Sequence, residues 1–195
     1  MRRPLVVFAL ASVASMAGIA HAEDVKHVAS ITFSPIHLAF PIVEVTGEVL
    51  VQKDIGVAAI LGYGSVSVTE STTGPGGTTN DKVRFSAWET GAQFRYYLVG
   101  SFDHGMQLGA ELLYLHVAGT SSASPSLSGV GTGFAIGPFV GYKIATNVGF
   151  TFDAQLGAEW LTARASAKDS TSSSSASTSG STVIPLLNLN VGWSF

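Results

Sequence analysis

Apolar and polar side chains alternate along most of the chain after its first 22 residues. In one clear segment the even-numbered positions from Trp88 to Leu98 are mostly apolar, whereas the odd-numbered positions include Glu89, Gln93 and Arg95. A period of two places successive side chains on opposite faces of a β-strand. The sequence therefore predicts an all-β fold in which each strand has one apolar face and one polar or small face.

Eight segments have this character. They are Val25–Ser34, Ile42–Val51, Val57–Val68, Val83–Leu98, Gly105–Val117, Gly131–Lys143, Val148–Arg164 and Thr182–Phe195. A tilted strand that crosses a membrane needs about 9–11 residues, whereas strands of soluble proteins average about 5–6. Because most of the eight segments reach the longer length, the sequence favours an eight-stranded antiparallel up-and-down transmembrane β-barrel.

The segments connecting these strands alternate in length. Short turns are predicted at Gln52–Gly56, Val99–His104 and Ala145–Asn147, and long loops at Glu70–Lys82, Ala118–Val130 and Ala165–Ser181. The first connection, Pro35–Pro41, is short where a long one is expected. Short turns at one end and long loops at the other are typical of an outer-membrane barrel. The low-complexity Ser170–Ser181 segment is predicted to be a solvated loop.

Aromatic spacing separates this hypothesis from a soluble β-sandwich, which would alternate as well. On the apolar faces, three pairs of aromatic residues are spaced eight residues apart, namely Trp88/Tyr96, Phe134/Tyr142 and Phe152/Trp160. Trp193 also lies on the apolar face of its segment. At ~3.3 Å per residue and a tilt of ~40°, eight residues rise ~20 Å, close to the spacing of the two aromatic girdles of a membrane barrel. A sandwich core has no reason to hold aromatic side chains at two fixed heights.

Composition removes several other classes. Of the 195 residues, 46% are hydrophobic and only 12% are charged, and the formal net charge is −3. This composition excludes disorder for most of the chain, because disordered segments combine low hydrophobicity with high charge. There is no cysteine, which excludes disulfide and thiolate chemistry. Ten Lys and Arg residues are too few for a broad nucleic-acid-binding surface.

The first 22 residues have the pattern of an export signal. Arg2 and Arg3 precede an apolar stretch from Leu5 to Ala20, and Ala20-His21-Ala22 satisfies the small-x-small cleavage rule. An uncleaved membrane helix is the less favoured alternative, since small residues end the stretch and acidic residues follow it. We therefore predict a cleaved signal peptide at 1–22 and a barrel at 23–195.

The polar faces predict an acidic barrel interior. They contribute six carboxylates and two bases, namely Glu44, Glu48, Glu89, Glu111, Asp153 and Glu159 with Arg95 and Lys143. The interior of an eight-stranded barrel is just filled by side chains, so no open pore is expected. A structural polar network is the favoured interpretation, and a cation or proton path forming a narrow channel is the alternative. The sequence contains neither a His-x-x-x-His zinc spacing nor a phosphate-binding glycine motif, and it predicts no metal and no cofactor.

The C-terminal segment carries the most specific resemblance. Leu187, Leu189, Val191, Trp193 and Phe195 alternate up to the last residue. With the eight segments, this pattern resembles the small eight-stranded outer-membrane barrels of Gram-negative bacteria, the family of the OmpA transmembrane domain and OmpX. The resemblance implies an outer-membrane location, a monomer, and recognition of the last strand with Phe195 by the barrel-insertion machinery.

The resemblance also implies contacts with lipopolysaccharide. The outer rim above the aromatic positions is basic, and it comprises Lys82, Arg84, Arg164 and Lys168. Such side chains bind phosphate groups well. We therefore expect a structural or surface-interaction protein with the lipid bilayer and lipopolysaccharide as partners, and no enzyme. A lipid A-modifying enzyme using His37 or His116 remains the alternative from a different class.

Overall fold

The computed structural model describes residues 26–39, 42–74, 77–121, 127–169 and 175–195. Eight antiparallel strands follow one another around a closed ring, and β8 returns to pair with β1. The strands are β1 Ala29–Phe33, β2 Ile42–Gln52, β3 Ile55–Gly74, β4 Gly77–Gly100, β5 His104–Ser121, β6 Leu127–Ala145, β7 Phe150–Asp169 and β8 Ser175–Ser194. The up-and-down ring of eight antiparallel strands predicted from the sequence is confirmed.

The register around the ring fixes the shape of the barrel. A path along paired residues that starts at Trp193 returns to β8 at Val183, ten residues away, by way of Ile31, Gly47, Ala59, Ala92, Leu112, Ile136 and Trp160. For eight strands this stagger corresponds to a strand tilt of ~40°. At that size the interior is just wide enough for side chains to fill it.

Three short turns lie at one end of the ring, as predicted. They connect β2 to β3, β4 to β5 and β6 to β7. Gly100 and Gly149 have φ angles of 88° and 98° there, in the left-handed region that glycine adopts without a steric penalty. This end is called the turn end below.

The opposite end differs from the prediction, because the expected long loops are mostly strand. β3 and β4 remain paired as far as Gly74↔Gly77, and β7 and β8 remain paired as far as Lys168↔Ser175. Each strand offers its neighbour a continuous row of backbone donors and acceptors, whatever the side chains are. Residues 175–181 of the low-complexity segment therefore belong to β8, and residues 170–174 lie outside the described part. β5 and β6 likewise include residues 118–121 and 127–130 of the loop predicted between them, so the three loop predictions were wrong at their described residues, while residues 75–76 and 122–126 lie outside the described part.

The first hairpin is much shorter than the other three. β1 ends at Phe33, Pro35–Ala39 form a 3₁₀ helix, and β2 begins at Ile42. The neighbouring strands β8 and β3 continue far beyond this level, to Ser175 and Gly74. Among the described residues, the parts of β3 and β8 beyond the short hairpin have no strand between them. The wall of the barrel is therefore low on this side, and we call this the low wall.

The N-terminal region adds little to the described fold. The signal peptide predicted at 1–22 lies outside the described residues, as does Val25, the predicted start of the first strand. β1 starts at Ala29 instead. In the described part of the chain, no helix is both long and apolar enough to cross a membrane.

Candidate functional site

The outward face of the barrel carries aromatic side chains at two levels. Trp88, Phe134 and Trp160 mark the upper level; Tyr96, Tyr142, Phe152 and Trp193 mark the lower level. All seven are 40–58% exposed. The ring centroids of Tyr114 and Phe134 lie 4.8 Å apart, and those of Trp88 and Tyr114 lie 5.2 Å apart. The predicted spacing of ~20 Å between the levels follows from the eight residues that separate each pair.

Outward side chains between the two levels are mainly apolar and exposed. They include Val45, Leu61, Phe94, Leu108, Leu112, Ile136, Leu156 and Leu187. A soluble monomer rarely exposes an apolar patch of more than a few hundred Å². We call this continuous surface the apolar belt.

An ion-pair cluster fills the barrel interior near the turn end. One terminal nitrogen of Arg95 lies 2.9 Å from a carboxylate oxygen of Glu48 and 2.9 Å from one of Asp153. Lys143 Nζ lies 2.8 Å from Glu48 Oε2 and donates to the Ser30 hydroxyl at 3.0 Å. All four charged side chains are at most 2% exposed, so two acids and two bases balance one another in the interior.

Amide and aromatic side chains complete this part of the interior. Gln93 donates to Glu111 and to Gln155, and Gln107 donates to Asp153. The Phe139 ring is buried directly against Gly109, where even a Cβ atom would collide with it. We call this filled region, with the ion-pair cluster, the plug.

Four carboxyl groups gather above the plug. They belong to Glu44, Glu89, Glu111 and Glu159, and each of these residues is at most 5% exposed. His37, on the 3₁₀ helix, brings its Nδ1 to 3.5 Å from Glu44 Oε1. Among the described residues, Oε1 of Glu44, Glu89 and Glu159 and Nδ1 of His37 have no hydrogen-bond partner. The structure thus divides the predicted interior network into a paired lower cluster and an acidic upper cluster.

An apolar cluster adjoins the acidic cluster, and Leu113 and Leu161 lie two residues beyond Glu111 and Glu159 on their strands. Ile60, Leu113 and Ala135 are buried together, and Leu115 and Leu161 pack against them. All five belong to the inner face of their strands. Glu89 is paired with Leu115, so the acidic side chains and this cluster, which we call the apolar floor, overlap along the interior.

Beyond the apolar floor the two faces of the sheet exchange character. Inward positions of β3, β4 and β5 now carry Val66, Phe85 and Val117, each at least 40% exposed, while outward positions carry Ser67 and Arg84. The cup formed by these inner faces, which we call the vestibule, was missed in the sequence analysis. A change of parity in the sequence could have revealed it. On β4 the apolar residues Val83 and Phe85 stand at odd positions, whereas from Trp88 onward the apolar residues stand mainly at even positions.

The predicted basic rim lies on the outward face beyond the upper aromatic level. Lys82, Arg84, Arg164 and Lys168 are all exposed there. Arg84 Nε donates to the Ser67 hydroxyl at 3.4 Å. Thr132, Arg164 and Ser179 are paired neighbours on three adjacent strands, so hydroxyl-bearing residues flank Arg164 in the sheet.

The two histidines of the enzyme hypothesis occupy different environments. His37 lies inside, beside Glu44, whereas the His116 ring stacks on outward-facing Trp88 at a centroid distance of 5.5 Å. Within the described ranges, no group of three or more His, Cys, Asp or Glu side chains is arranged to hold a metal ion.

Comparison of the chain with protein-family models, with curated proteins and with solved structures found no match.

Proposed function

We propose that the chain is a β-barrel of the Gram-negative outer membrane, related in architecture to the OmpA transmembrane domain and OmpX, with a structural or surface-interaction role. The observation that carries this proposal is the apolar belt between two aromatic levels. A belt of this kind is stable in contact with lipid and costly in contact with water. In a bilayer every backbone polar group must also be paired, which a closed ring of strands achieves.

The plug supports a barrel without an open pore. Arg95 on β4 and Phe139 and Lys143 on β6 are at most 1% exposed, and all three fill the interior. A narrow channel would need a continuous polar path past these side chains.

The basic rim supports contact with lipopolysaccharide. Its charged side chains lie four or more residues beyond the upper aromatic level on the outward face, at the height where phosphate groups of an outer leaflet would be. Arg164 with its flanking hydroxyl-bearing residues suits a phosphate, because a guanidinium donates two parallel hydrogen bonds.

Phe195 also takes part in the pairing between β1 and β8, in addition to resembling the assembly signal of the family. The Phe195 amide donates to the Ala29 carbonyl at 2.8 Å, and the Val28 amide donates to the Phe195 carbonyl at 2.7 Å. The phenyl ring is 60% exposed. We propose that the backbone of Phe195 closes the ring while its side chain is available to the insertion machinery.

The test is an outer-membrane fraction separated on a detergent gel with and without boiling. A closed barrel keeps its backbone hydrogen bonds in detergent until it is heated, so we expect a band shift on boiling. The result that would refute the proposal is identical mobility together with recovery of the protein in the soluble fraction.

A further inference from the structure

The vestibule presents apolar surface to its own interior, where no described side chain covers it. Val66, Val68, Phe85 and Val117 point inward and are 40–54% exposed. On the outward face at the same height, serine, threonine and basic residues predominate. If these strand extensions were only solvated, exposed apolar residues on their inner faces would be unfavourable. Their presence there indicates that another molecule covers them.

Two adjoining cavities occupy this cup. One has a volume of about 590 Å³ and the other about 520 Å³. Both are lined by Val117, Gly131, Ala165 and Thr178, which makes them parts of one elongated space. Sites for small ligands have volumes of about 300–1,000 Å³ and apolar walls with a few polar groups.

We propose that the vestibule binds the chain of a single-chain fatty acid taken up from the aqueous side. The proposal rests on the outer-membrane assignment, since that assignment places the vestibule on the cell surface. The acyl chain lies along the inner faces of β4 to β8, and its methyl end reaches the apolar floor at Leu115 and Leu161, which line the lower cavity.

The charged groups around the vestibule determine which end of the fatty acid points toward the apolar floor. The carboxyl groups of the acidic cluster adjoin the floor, with Glu89 paired with Leu115 and Glu159 two residues before Leu161, and they would repel a carboxylate. The far end of the upper cavity is lined by Ser121, whose hydroxyl-bearing side chain lies on the inner face of β5. Lys82 and Lys168 lie on the outward face toward the same end. The fatty-acid carboxylate therefore lies at the outer end and the hydrocarbon chain points toward the floor.

The low wall connects the vestibule sideways with the apolar belt. β2 pairs with β3 only up to Ile42↔Gly64, and β1 pairs with β8 only up to Phe33↔Val191. Beyond these pairs the described strands leave an opening between β3 and β8. A chain bound in the vestibule would thus have an apolar exit toward the outer leaflet without passing the plug.

The experiment uses the full barrel in lipid vesicles and a palmitate that carries a diazirine on its chain. On illumination the diazirine loses nitrogen, and the carbene that remains inserts into nearby C–H bonds. Mass spectrometry then locates the labelled residues. Belt residues such as Leu108 and Leu112 are labelled by probe dissolved in the bilayer, so they serve as an internal standard. We expect additional labelling at the cavity-lining residues Leu115, Val117 and Gly131 and around Ala165, and unlabelled palmitate should suppress it.

A matched pair of variants assigns that label to the vestibule. Gly131→Phe places a ring in the cavities, because a Cβ there would have only the Arg164 carbonyl oxygen nearby, at 3.7 Å. Ala118→Phe adds the same ring on the outward face, next to the Val117↔Gly131 pair. We expect Gly131→Phe to lower the vestibule-to-belt labelling ratio roughly tenfold. Ala118→Phe should leave it unchanged.

The outcomes separate this inference from the proposed function. Band shifts on boiling for both variants would show that the barrel has formed. If labelling by the palmitate is then confined to the belt, or is the same in Gly131→Phe, the fatty-acid site is refuted and the barrel proposal stands. Saturable vestibule labelling by a diacyl phospholipid probe, and not by palmitate, would also overturn it. Failure of the native chain to reach a membrane would refute the proposed function itself.

Discussion

At the scale of single residues, Arg95 is the centre of the interior. It lies between Glu48 and Asp153, and its Nε donates to the Gln93 amide oxygen at 2.8 Å. The sequence analysis identified Arg95 as one of two interior bases, because parity alone decides which way a strand residue points. It could not identify the partners, since Glu48 and Asp153 lie on strands that are distant in sequence and become neighbours only when the ring closes.

We predict that Arg95→Met strongly destabilises the barrel. The substitution leaves two buried carboxylates with Lys143 as their remaining base, and breaking a buried ion pair costs about 3–5 kcal/mol. The free energy of unfolding, measured by denaturant titration in lipid vesicles, should fall by about that amount. Arg164→Met is the control, because an exposed rim position should change it by less than about 0.5 kcal/mol. Equal small losses for both variants would mean that the interior charges are hydrated rather than paired.

At the scale of elements, one strand serves two environments. β5 presents Leu108, Ala110 and Leu112 on its outward face within the apolar belt, and Ala118 and Thr120 on the same face beyond it. Its inward face changes in the reverse sense, from Gln107 and Glu111 to Leu115 and Val117. The boundary between the two patterns lies near the upper aromatic level on each long strand.

This boundary predicts different effects of the same substitution on one strand. Ala110 and Ala118 both face outward on β5, eight residues apart. Ala110→Arg should cost roughly 2–4 kcal/mol of folding free energy in a bilayer, because arginine near the midplane contacts hydrocarbon, and Ala118→Arg should cost about 0–1 kcal/mol. The measurement is folding yield and unfolding free energy in vesicles. Equal costs would contradict the placement of the belt.

The strand ends show what sequence patterns can and cannot predict. Alternation identified all eight strands, because the two faces of each strand have different surroundings over most of its length. It missed the extensions of the six strands β3 to β8, whose Ser, Thr and Gly residues are typical of loops. These extensions form because backbone pairing continues from the neighbouring strand, and a single-sequence pattern carries no information on that pairing.

At the scale of the whole molecule, the interior is a stack of layers. The paired plug lies near the turn end, the acidic cluster and the apolar floor follow, and the vestibule opens at the far end. Sequence parity predicted the charged members of the first two layers. The order of the layers could not be predicted, since it depends on the ten-residue stagger that sets the relative heights of the strands.

This layering predicts that the barrel does not conduct. An ion entering from the vestibule would have to pass Ile60, Leu113 and Ala135 of the apolar floor, which are at most 9% exposed and would remove its hydration. It would then meet the plug, where Arg95 lies between Glu48 and Asp153, the Phe139 ring packs against Gly109, and both residues are 1% exposed. Purified protein in a planar bilayer should therefore give no steady conductance steps, while an open porin added to the same membrane gives them. Insertion is checked by a band shift of the recovered protein on boiling. Reproducible steps from the native chain would favour the narrow-channel alternative, and their loss in a variant that enlarges the floor, such as Ala135→Leu, would locate the path.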